Sequence, residues 1–248
     1  MEKTKKWKIL NALDLKLLAM ALMLCDHLWA TIISGNRWLT DLGRLAFPIF
    51  AYQIVEGYFH TGNFKRYLGR MFLYALISEI PFNMMMSGGR LFYPFHQNVM
   101  FTFCIALMCI RVMELAKQKN RWLYLGSIAL FGLLGYAAGF AGFVDYYGSG
   151  VLTVLVFYVF REIPFGWVGE LVCLLFINTR LMGGLMYPVN LFGWSFQIYQ
   201  QGLAVLALIP LALYNGKQGP HNKWIQHGCY WFYPAHMVLL FLLARMMA

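Results

Sequence analysis

Long apolar runs, separated by short polar and basic segments, dominate this amino-acid sequence. A helix that spans a membrane needs about 20 mostly apolar residues, with a range of about 17–25. By this rule we predict an all-α, polytopic transmembrane helix bundle with roughly eight to ten membrane-spanning helices. The predicted runs are Leu15–Ile33, Leu42–Phe59, Tyr67–Met86, Asn98–Met113, Trp122–Phe140, Gly150–Phe160, Phe165–Ile177, Leu203–Tyr214 and Cys229–Met247, with an ambiguous aromatic segment at Tyr187–Tyr199.

The composition supports a membrane protein. The chain of 248 residues is 60% hydrophobic and only 12% charged, whereas a soluble domain is about 45–50% apolar and about 25% charged. So few charges cannot cover a soluble surface, which excludes a disordered chain, a collagen-like fibre, a nucleic-acid-binding module and a soluble α/β enzyme. No internal repeat or linker divides the sequence. We therefore predict a single membrane domain over residues 1–248.

The charges also predict the orientation in the membrane. The chain carries 20 Lys and Arg residues against 10 Asp and Glu. Basic residues in the short segments between apolar runs set topology and contact anionic lipid headgroups, so we expect no nucleic-acid partner. The basic leader places the N-terminus in the cytoplasm. The loop with Lys217 and Lys223 is then also cytoplasmic, which makes Tyr187–Tyr199 re-entrant or interfacial; if that segment does span, one of the neighbouring short runs does not.

The first run, DLKLLAMALMLCDHLW, holds ionisable residues, each of which costs roughly 2.5–3.5 kcal/mol if it faces lipid. Lys16 and His27 are eleven positions apart, which puts them within about 20° of one helix face and about 16 Å apart along the axis. An imidazole suits general-base catalysis, and a cation at the cytoplasmic entrance suits a phosphorylated donor. His27 alone is equally consistent with a structural histidine bonded to a carbonyl group. Asp26 points about 100° away, toward another helix.

The second run, GRLAFPIFAYQIVEGYFHTGN, carries Arg44 near its outer end and Glu56 near its inner end. Arg44 is predicted to bind an anion or to stabilise developing negative charge. The alternative is a side chain that extends to the membrane interface. Pro48 removes a backbone hydrogen bond, so we expect a kink or a cavity there.

Later runs contribute further polar candidates near their ends. Asp145 is a candidate ion-pair partner for Arg44 or His27. The other candidates at these ends are His96, Asn98 and His236.

The cysteines are interpreted as packing residues, because a free cysteine behaves as a small hydrophobic residue and all five lie in or beside apolar runs. They are Cys25, Cys104, Cys109, Cys173 and Cys229. No spacing of histidines and carboxylates matches a zinc or iron motif, so we expect no metal.

Taken together, these motifs resemble the TraX family over nearly the whole chain. The segments that carry the resemblance, in the family's order, are DLKLLAMALMLCDHLW, GRLAFPIFAYQIVEGYFHTGN, HQNVMFTF, VDYYGSGV and YPAHMVLL. TraX proteins are multi-pass proteins of bacterial chromosomes and conjugative plasmids, named for an enzyme that N-acetylates pilin. The family in turn resembles membrane acyltransferases that include sugar O-acetylases of bacterial envelopes. In that superfamily the first helix carries a basic residue and, after ten intervening residues, a histidine, and Lys16 and His27 reproduce this spacing.

The resemblance implies acyl transfer from acetyl-CoA or another cytoplasmic acyl-CoA, at the bacterial inner membrane. It also implies that His27 is the catalytic base and that Lys16 helps to bind the donor. The other positions that match motifs of the family are Asp26, Arg44, His96, Asn98, Asp145 and His236.

We therefore hypothesise a multi-pass acyltransferase that moves an acyl group to a glycan, peptide or small-molecule acceptor of the envelope. Arg44 or Asn98 is expected to stabilise the oxyanion, and Asp26 or Asp145 to orient the imidazole of His27. The remaining predicted contacts are Lys16, Lys65, Arg66 and Arg70 with the donor, and His96, Asn98, Glu56 and His236 with the acceptor.

Two other functions stay open at this point. A transporter or flippase would use the same buried polar residues as a substrate pathway. A scaffold or pilus-assembly partner without catalysis is the third possibility, and it gives no reason for Lys16 and His27 to share a helix face.

Overall fold

The computed structural model describes residues 7–191, 193–220 and 222–247. Its α-helices are α1 (Ala12–Thr31), α2 (Trp38–Gly43), α3 (Ala46–His60), α4 (Phe64–Met86), α5 (Val99–Lys119), α6 (Arg121–Ala141), α7 (Tyr147–Phe160), α8 (Gly166–Phe176), α9 (Leu208–Ala212) and α10 (Lys223–Met247). Between α8 and α9 lie a π-helical turn (Ile177–Leu181), the strands β1 (Met186–Leu191) and β2 (Trp194–Tyr199), and a 3-10 helix (Gln200–Ala207).

A capping box fixes the start of α1. The side chain of Asn11 accepts hydrogen bonds from the backbone N–H groups of Leu13 and Asp14, at 2.9 and 3.1 Å. In return, the carboxylate of Asp14 accepts the N–H of Asn11 at 2.9 Å. Reciprocal capping satisfies donors that a helix start otherwise leaves unpaired. Because the start is fixed, the rotational positions of Lys16 and His27 along α1 are fixed with it.

The second predicted run is divided into two helices. The run Leu42–Phe59 was predicted as one helix, but α2 ends at Gly43 and α3 begins at Ala46. Pro48 lies in the first turn of α3, and it lacks the N–H that would donate to the carbonyl of Arg44 four residues earlier. The irregularity expected from Pro48 is therefore confirmed as a break in the helix, and Arg44 lies in that break.

Backbone contacts define two ends of the bundle. At the first end, Leu10 donates to the carbonyl of Leu213 at 3.0 Å, and Asn215 donates to the carbonyl of Leu10 at 2.8 Å. At the second end, the loop before α5 pairs with the loop before α7 through Gln97 and Val144. The chain runs alternately between these ends in α1, α3, α4, α5, α6, α7, α8 with the π-helical turn, the 3-10 helix with α9, and α10.

The ambiguous segment Tyr187–Tyr199 folds as an antiparallel β-hairpin, in which Met186 pairs with Tyr199. The hairpin lies at the second end, because the hydroxyl of Tyr187 donates to Asp41 of α2 at 2.8 Å. Gln200, directly after β2, donates to the same carboxylate oxygen at 2.7 Å. Two strands of six residues are too short to cross a bilayer, which takes about 9–11 residues in a strand. The alternative in which this segment spans as a helix is wrong.

The helices have the length and polarity of a membrane protein. Within the described residues, three helices are long and apolar enough to cross a bilayer, namely Val99–Lys119, Arg121–Ala141 and Trp224–Met247. Helices α1 and α4 are also long enough to cross a bilayer, at 20 and 23 residues. They are less apolar, because they carry charged residues such as Lys16 and Asp26 in α1 and Glu79 in α4. The predicted all-α membrane bundle is confirmed, with one short β-hairpin added.

The main core packs α5, α6 and α7 closely together. Leu107, Ile110 and Val151 are fully buried in it. Cys104 and Cys109 belong to the same core, which confirms their interpretation as packing residues. All five cysteines are free.

Candidate active site

Two cavities of similar size meet inside the bundle. The first, here called the Lys16 cavity, has a volume of about 410 Å³ and is lined by Lys16 and Met20 of α1. The second, the His27 cavity, has about 420 Å³ and is lined by His27 of the same helix. Met23, which lies between them on α1, lines both cavities. The prediction that Lys16 and His27 share one interior face of the first helix is confirmed.

Lys16 brings an unpaired positive charge to its cavity. Among the residues that the structure describes, none forms a hydrogen bond or an ion pair with its ammonium group. Glu56 lines the same cavity, but its carboxylate is held by Nε of Arg161 at 2.8 Å and lies 4.0 Å from Nδ1 of His60. Glu56 therefore positions Arg161 near this cavity. Arg161 was not predicted as a site residue, because only the folded chain brings residue 161 beside residue 56.

The predicted basic residues of α4 do not line the Lys16 cavity. Lys65 and Arg66 are exposed, and Arg70 is half-buried outside the cavity lining. Tyr67 and Met71 of the same helix do line the cavity. Successive helical residues differ by about 100° in direction, so the face that presents Tyr67 turns Lys65 and Arg66 away. Of the four predicted donor contacts, the structure places Lys16 alone in the cavity wall.

His27 is hydrogen-bonded to a second histidine. Its Nδ1 lies 2.7 Å from Nε2 of His236 on α10, and the two rings stack with an angle of 10° between their planes. Nδ1 of His236 lies 2.7 Å from the carbonyl oxygen of Phe232. A carbonyl only accepts, so Nδ1 of His236 carries a proton and, in the neutral ring, Nε2 does not. Nε2 of His236 then accepts the Nδ1–H of His27, which leaves Nε2 of His27 unprotonated.

This chain of bonds corrects the predicted orientation of the imidazole. Asp26 or Asp145 was expected to orient His27, but the structure places His236 in that position. No described residue forms a hydrogen bond with Nε2 of His27, and the ring lines the His27 cavity. His236, predicted as an acceptor contact, is 5% exposed and holds His27 instead of lining the cavity.

Asp26 of α1 forms an ion pair with Arg44, which directly follows α2. Nη2 of Arg44 donates to Oδ1 of Asp26, and the hydroxyl of Thr40 donates to the same oxygen at 2.6 Å. Gly43 makes room for this arrangement, because a side-chain carbon at that position would overlap Asp26. The prediction that Asp26 contacts another helix is confirmed through Thr40 of α2, and its charged partner is Arg44, in the break after that helix.

Further bonds fix the guanidinium of Arg44. Nε donates to the carbonyl of Thr40 at 3.2 Å, and Nη1 donates to Gln201 at 3.1 Å. Gln201 in turn donates to Asn178 of the π-helical turn at 3.1 Å. Both residues are buried, Gln201 at 8% exposure and Asn178 at 3%. Gln201 and Asn178 were not predicted as site residues, although a polar residue in an apolar run is a sequence signal for a position that faces the bundle interior.

Asp145 pairs with His96, and not with Arg44 or His27. Its Oδ1 lies 3.4 Å from Nε2 of His96. The backbone explains the choice, because Asp145 donates its N–H to the carbonyl of Gln97 at 2.8 Å and so lies beside the loop that carries His96. The hydrogen bond with Asp145 raises the pKa of His96 above its usual value, although partial burial opposes the shift. Asp145 still lines the His27 cavity.

The backbone beside Asp145 is strained. Phe143, Tyr146 and Tyr147 have positive φ angles of 50°, 61° and 48°. Non-glycine residues in this region cost on the order of 1–3 kcal/mol each and concentrate at functional sites. The ring of Tyr146 stacks on Phe47 with centroids 4.2 Å apart, and Tyr146 and Tyr147 line the His27 cavity.

Asn98 has a structural position. It caps the start of α5, and its side-chain amide donates to Glu79 at 2.6 Å and to the carbonyl of Ala75 at 2.8 Å. Both amide protons are used inside the protein and Asn98 is fully buried. The structure therefore does not offer Asn98 to an oxyanion or to an acceptor. Among the described residues, no group of three or more His, Cys, Asp or Glu side chains is placed to hold a metal ion.

Comparison with known proteins gives the family. The family model described as TraX protein matches residues 12–244. The chain belongs to the TraX family. The matched region contains every site residue from Lys16 to His236, so the two cavities lie within the TraX domain.

A curated relative of this TraX chain is a probable fimbrial assembly protein, FimC of serogroup H1, from Dichelobacter nodosus. It is 27% identical over 243 residues, which cover 93% of this chain and 94% of the relative. No solved structure matches the chain.

Proposed function

We propose that this TraX-family protein is a membrane-embedded acyltransferase that transfers an acetyl or other acyl group from acyl-CoA to an amine or hydroxyl acceptor of the cell envelope. The observation that carries the proposal is the bonded pair of His27 and His236, which leaves an unprotonated nitrogen at the wall of a cavity. An adjoining cavity with an unpaired lysine supports a donor that carries phosphate groups.

The Lys16 cavity suits the donor. A lysine ammonium binds phosphate as a compact point charge, and no described residue forms an ion pair with Lys16. The cavity volume of about 410 Å³ lies within the range of about 300–1,000 Å³ that is typical of ligand pockets. The rise of about 16 Å along α1 from Lys16 to His27 matches the reach of an extended pantetheine arm.

His27 acts as general base in this proposal. Its Nε2 accepts the proton from the N–H or O–H of the acceptor while the acceptor nitrogen or oxygen bonds to the acyl carbon. The bond between that carbon and the CoA sulfur breaks, and the leaving thiolate takes the proton from Nε2. The products are the acylated acceptor and CoA, and His27 returns to its starting form.

Arg44 supplies positive charge to the His27 cavity. Four of its five N–H groups are used by Asp26, Thr40 and Gln201, and one on Nη1 is left. A fixed cation of this kind stabilises negative charge that develops on the acyl oxygen, because it needs no reorganisation during the reaction. Its ion pair with Asp26 and the bond to Gln201 hold it in place.

The acceptor is proposed to be a glycan, a peptide or a small molecule of the envelope. A relative named as a fimbrial assembly protein supports an acceptor connected with surface appendages. We propose that the protein lies in the bacterial inner membrane with the first end of the bundle, where Lys16 lies, on the cytoplasmic side.

The test is acyl transfer by the purified protein in lipid nanodiscs, with acetyl-CoA as donor and envelope extract from a deletion strain as acceptor. Release of CoA thiol measures turnover. The variant His27→Gln should lower the rate about 10²–10⁴-fold, the usual contribution of a general base. His227→Gln, the same substitution at an exposed histidine of α10 that lines neither cavity, is the matched control. Unchanged turnover in the His27 variant at equal protein abundance contradicts the mechanism.

A transporter or flippase is the second candidate, because two cavities on either side of one layer of side chains also suit a carrier with alternating access. Proteoliposomes distinguish the two functions. Movement of an envelope precursor across the bilayer without consumption of acetyl-CoA favours the carrier.

A further inference from the structure

Four side chains separate the two cavities. Met23, Phe50, Val99 and Tyr233 each line both the Lys16 cavity and the His27 cavity. They come from α1, α3, α5 and α10, so four helices contribute one residue each. We call these four residues the partition.

The partition is a packed layer. Met23 and Tyr233 are 8% and 6% exposed and belong to one buried apolar cluster, against which Phe50 and Val99 pack. Closely packed side chains resist the insertion of extra atoms, because added methylene groups force strained rotamers or backbone shifts. A group that passes between the cavities must fit the space that these side chains leave.

The position of the partition coincides with the reacting end of the proposed donor. Met23 lies seven residues after Lys16 and four before His27, which corresponds to rises of about 10 Å and about 6 Å along α1. A reacting carbon must come within about 3–3.5 Å of its partner. The acyl carbon therefore has to reach the level of the partition or pass it before His27 acts on the acceptor.

The far side of the partition carries charged side chains among its apolar ones. The His27 cavity is lined by the charged side chains of Asp26, Arg44 and Asp145. Burying an alkyl chain against these groups would displace the water that solvates them, which is unfavourable. A long acyl tail thus meets packed side chains at the partition and charged side chains beyond it.

We infer that the partition sets the length of the acyl group, so that the protein accepts an acetyl group and discriminates against longer chains. This inference rests on the proposed donor, acyl-CoA. Met23 and Phe50 are the specificity-determining residues, because truncation of either opens space between the two cavities.

The experiment measures the binding of non-hydrolysable thioether analogues of acetyl-, butyryl-, hexanoyl- and octanoyl-CoA to the full-length protein in nanodiscs. The variants are Met23→Ala and Phe50→Ala, with Phe50→Leu as a milder change if the alanine variant is poorly folded. Met20→Ala is the matched control, since Met20 lies on the same face of α1 but lines only the Lys16 cavity.

For the natural sequence, the Kd should rise about tenfold or more between the acetyl and hexanoyl analogues, because methylene groups that a pocket cannot accommodate cost roughly tenfold or more. In the Met23 and Phe50 variants this ratio should fall toward one, while Met20→Ala keeps it. Equal binding of all analogues by the natural sequence overturns the inference, as does a Met20 variant that changes the ratio as much as the Met23 variant.

The outcome also distinguishes the inference from the proposed function. If no analogue binds the natural sequence, both the proposed donor and the proposed role of the partition are wrong. If the analogues bind with the expected dependence on length but acetyl-CoA is not consumed with envelope extract, the length limit stands and the transferase does not.

Discussion

At the scale of single residues, the proposed chemistry depends on which nitrogen of His27 carries a proton. An isolated neutral imidazole has two tautomers, and only one of them presents a basic nitrogen to a given cavity. Here the carbonyl of Phe232 fixes the tautomer of His236, and His236 fixes that of His27. His236 therefore fixes the tautomer of the proposed base, as a carboxylate does in many catalytic triads, but without bringing a negative charge of its own.

This arrangement predicts different effects for two variants of His236. His236→Leu removes the acceptor for the Nδ1–H of His27, and turnover should fall about 10–100-fold with a smaller change in KM. His236→Gln keeps an acceptor oxygen and should retain more activity than the leucine variant. The measurement is the split between kcat and KM in the thiol-release assay. Equal loss in both variants would indicate that residue 236 acts only through packing.

In contrast to the histidine pair, the ion pair between Asp26 and Arg44 is expected to affect folding as well as activity. Both side chains are 19% exposed, so each needs the other to compensate its charge. Breaking such a pair by removing one partner costs about 3–5 kcal/mol, because an uncompensated charge stays buried. Loss of activity in a variant of Arg44 therefore has to be separated from loss of folding, which makes variants of His27 and His236 the clearer tests of the proposed mechanism.

At the scale of elements, the crossing of α6 and α7 shapes the wall of the His27 cavity. Gly139 of α6 lies against the start of α7, and a side-chain carbon there would come within 2.8 Å of the carbonyl oxygen of Tyr147. The neighbouring atoms belong to the backbone and cannot rotate away. This contact supports the positive φ angles of Tyr146 and Tyr147, which place both rings at the cavity.

A pair of glycine variants in α6 tests this contact. Gly139→Ala should lower the free energy of unfolding by about 1–3 kcal/mol, the usual cost of overpacking. Gly132→Ala should cause no loss, because a side-chain carbon at Gly132 has no neighbour within 4 Å. Thermal unfolding in detergent, followed with a thiol-reactive dye that reports exposure of Cys104 and Cys109, gives both values. Equal melting temperatures for the two variants would contradict the close approach of α6 and α7.

At the scale of the whole molecule, the two cavities lie toward opposite ends of the bundle. The Lys16 cavity is lined by residues of the first end, including Gly216 and Gln218, and the His27 cavity by residues of the second end, including Asp145. The β-hairpin lies at the second end through its contacts with Asp41. The proposed orientation therefore places the hairpin outside the cytoplasm and the Lys16 cavity toward the cytoplasmic side.

Cysteine labelling tests this orientation. In a variant without the five natural cysteines, Ser195→Cys in the hairpin should react with a membrane-impermeant maleimide in intact spheroplasts. Lys119→Cys, at the end of α5, should react only after the membrane is permeabilised. Both positions are exposed in the structure, so access to reagent is limited only by the membrane. The reverse pattern would show that the positive-inside prediction is wrong for this chain.

Features that depend on neighbouring residues could be predicted from the sequence more fully than features that depend on contacts between distant residues. The apolar runs predicted most helices, since periodicity and length are properties of neighbouring residues. Pro48 predicted an irregularity in its own helix for the same reason. The hairpin at Tyr187–Tyr199 was not predicted as strands, because its aromatic residues are equally typical of a membrane interface and of a β-hairpin.

The sequence by itself determined the membrane class, the helical bundle and the common face of Lys16 and His27, because each follows from hydrophobicity and from the fixed rotation of a helix. Only the tertiary structure decided the partners. It paired His27 with His236, which is 209 positions away, and Asp145 with His96. Contacts of this kind depend on how helices cross, and that information is spread over all the packed residues of the bundle and is absent from any single motif.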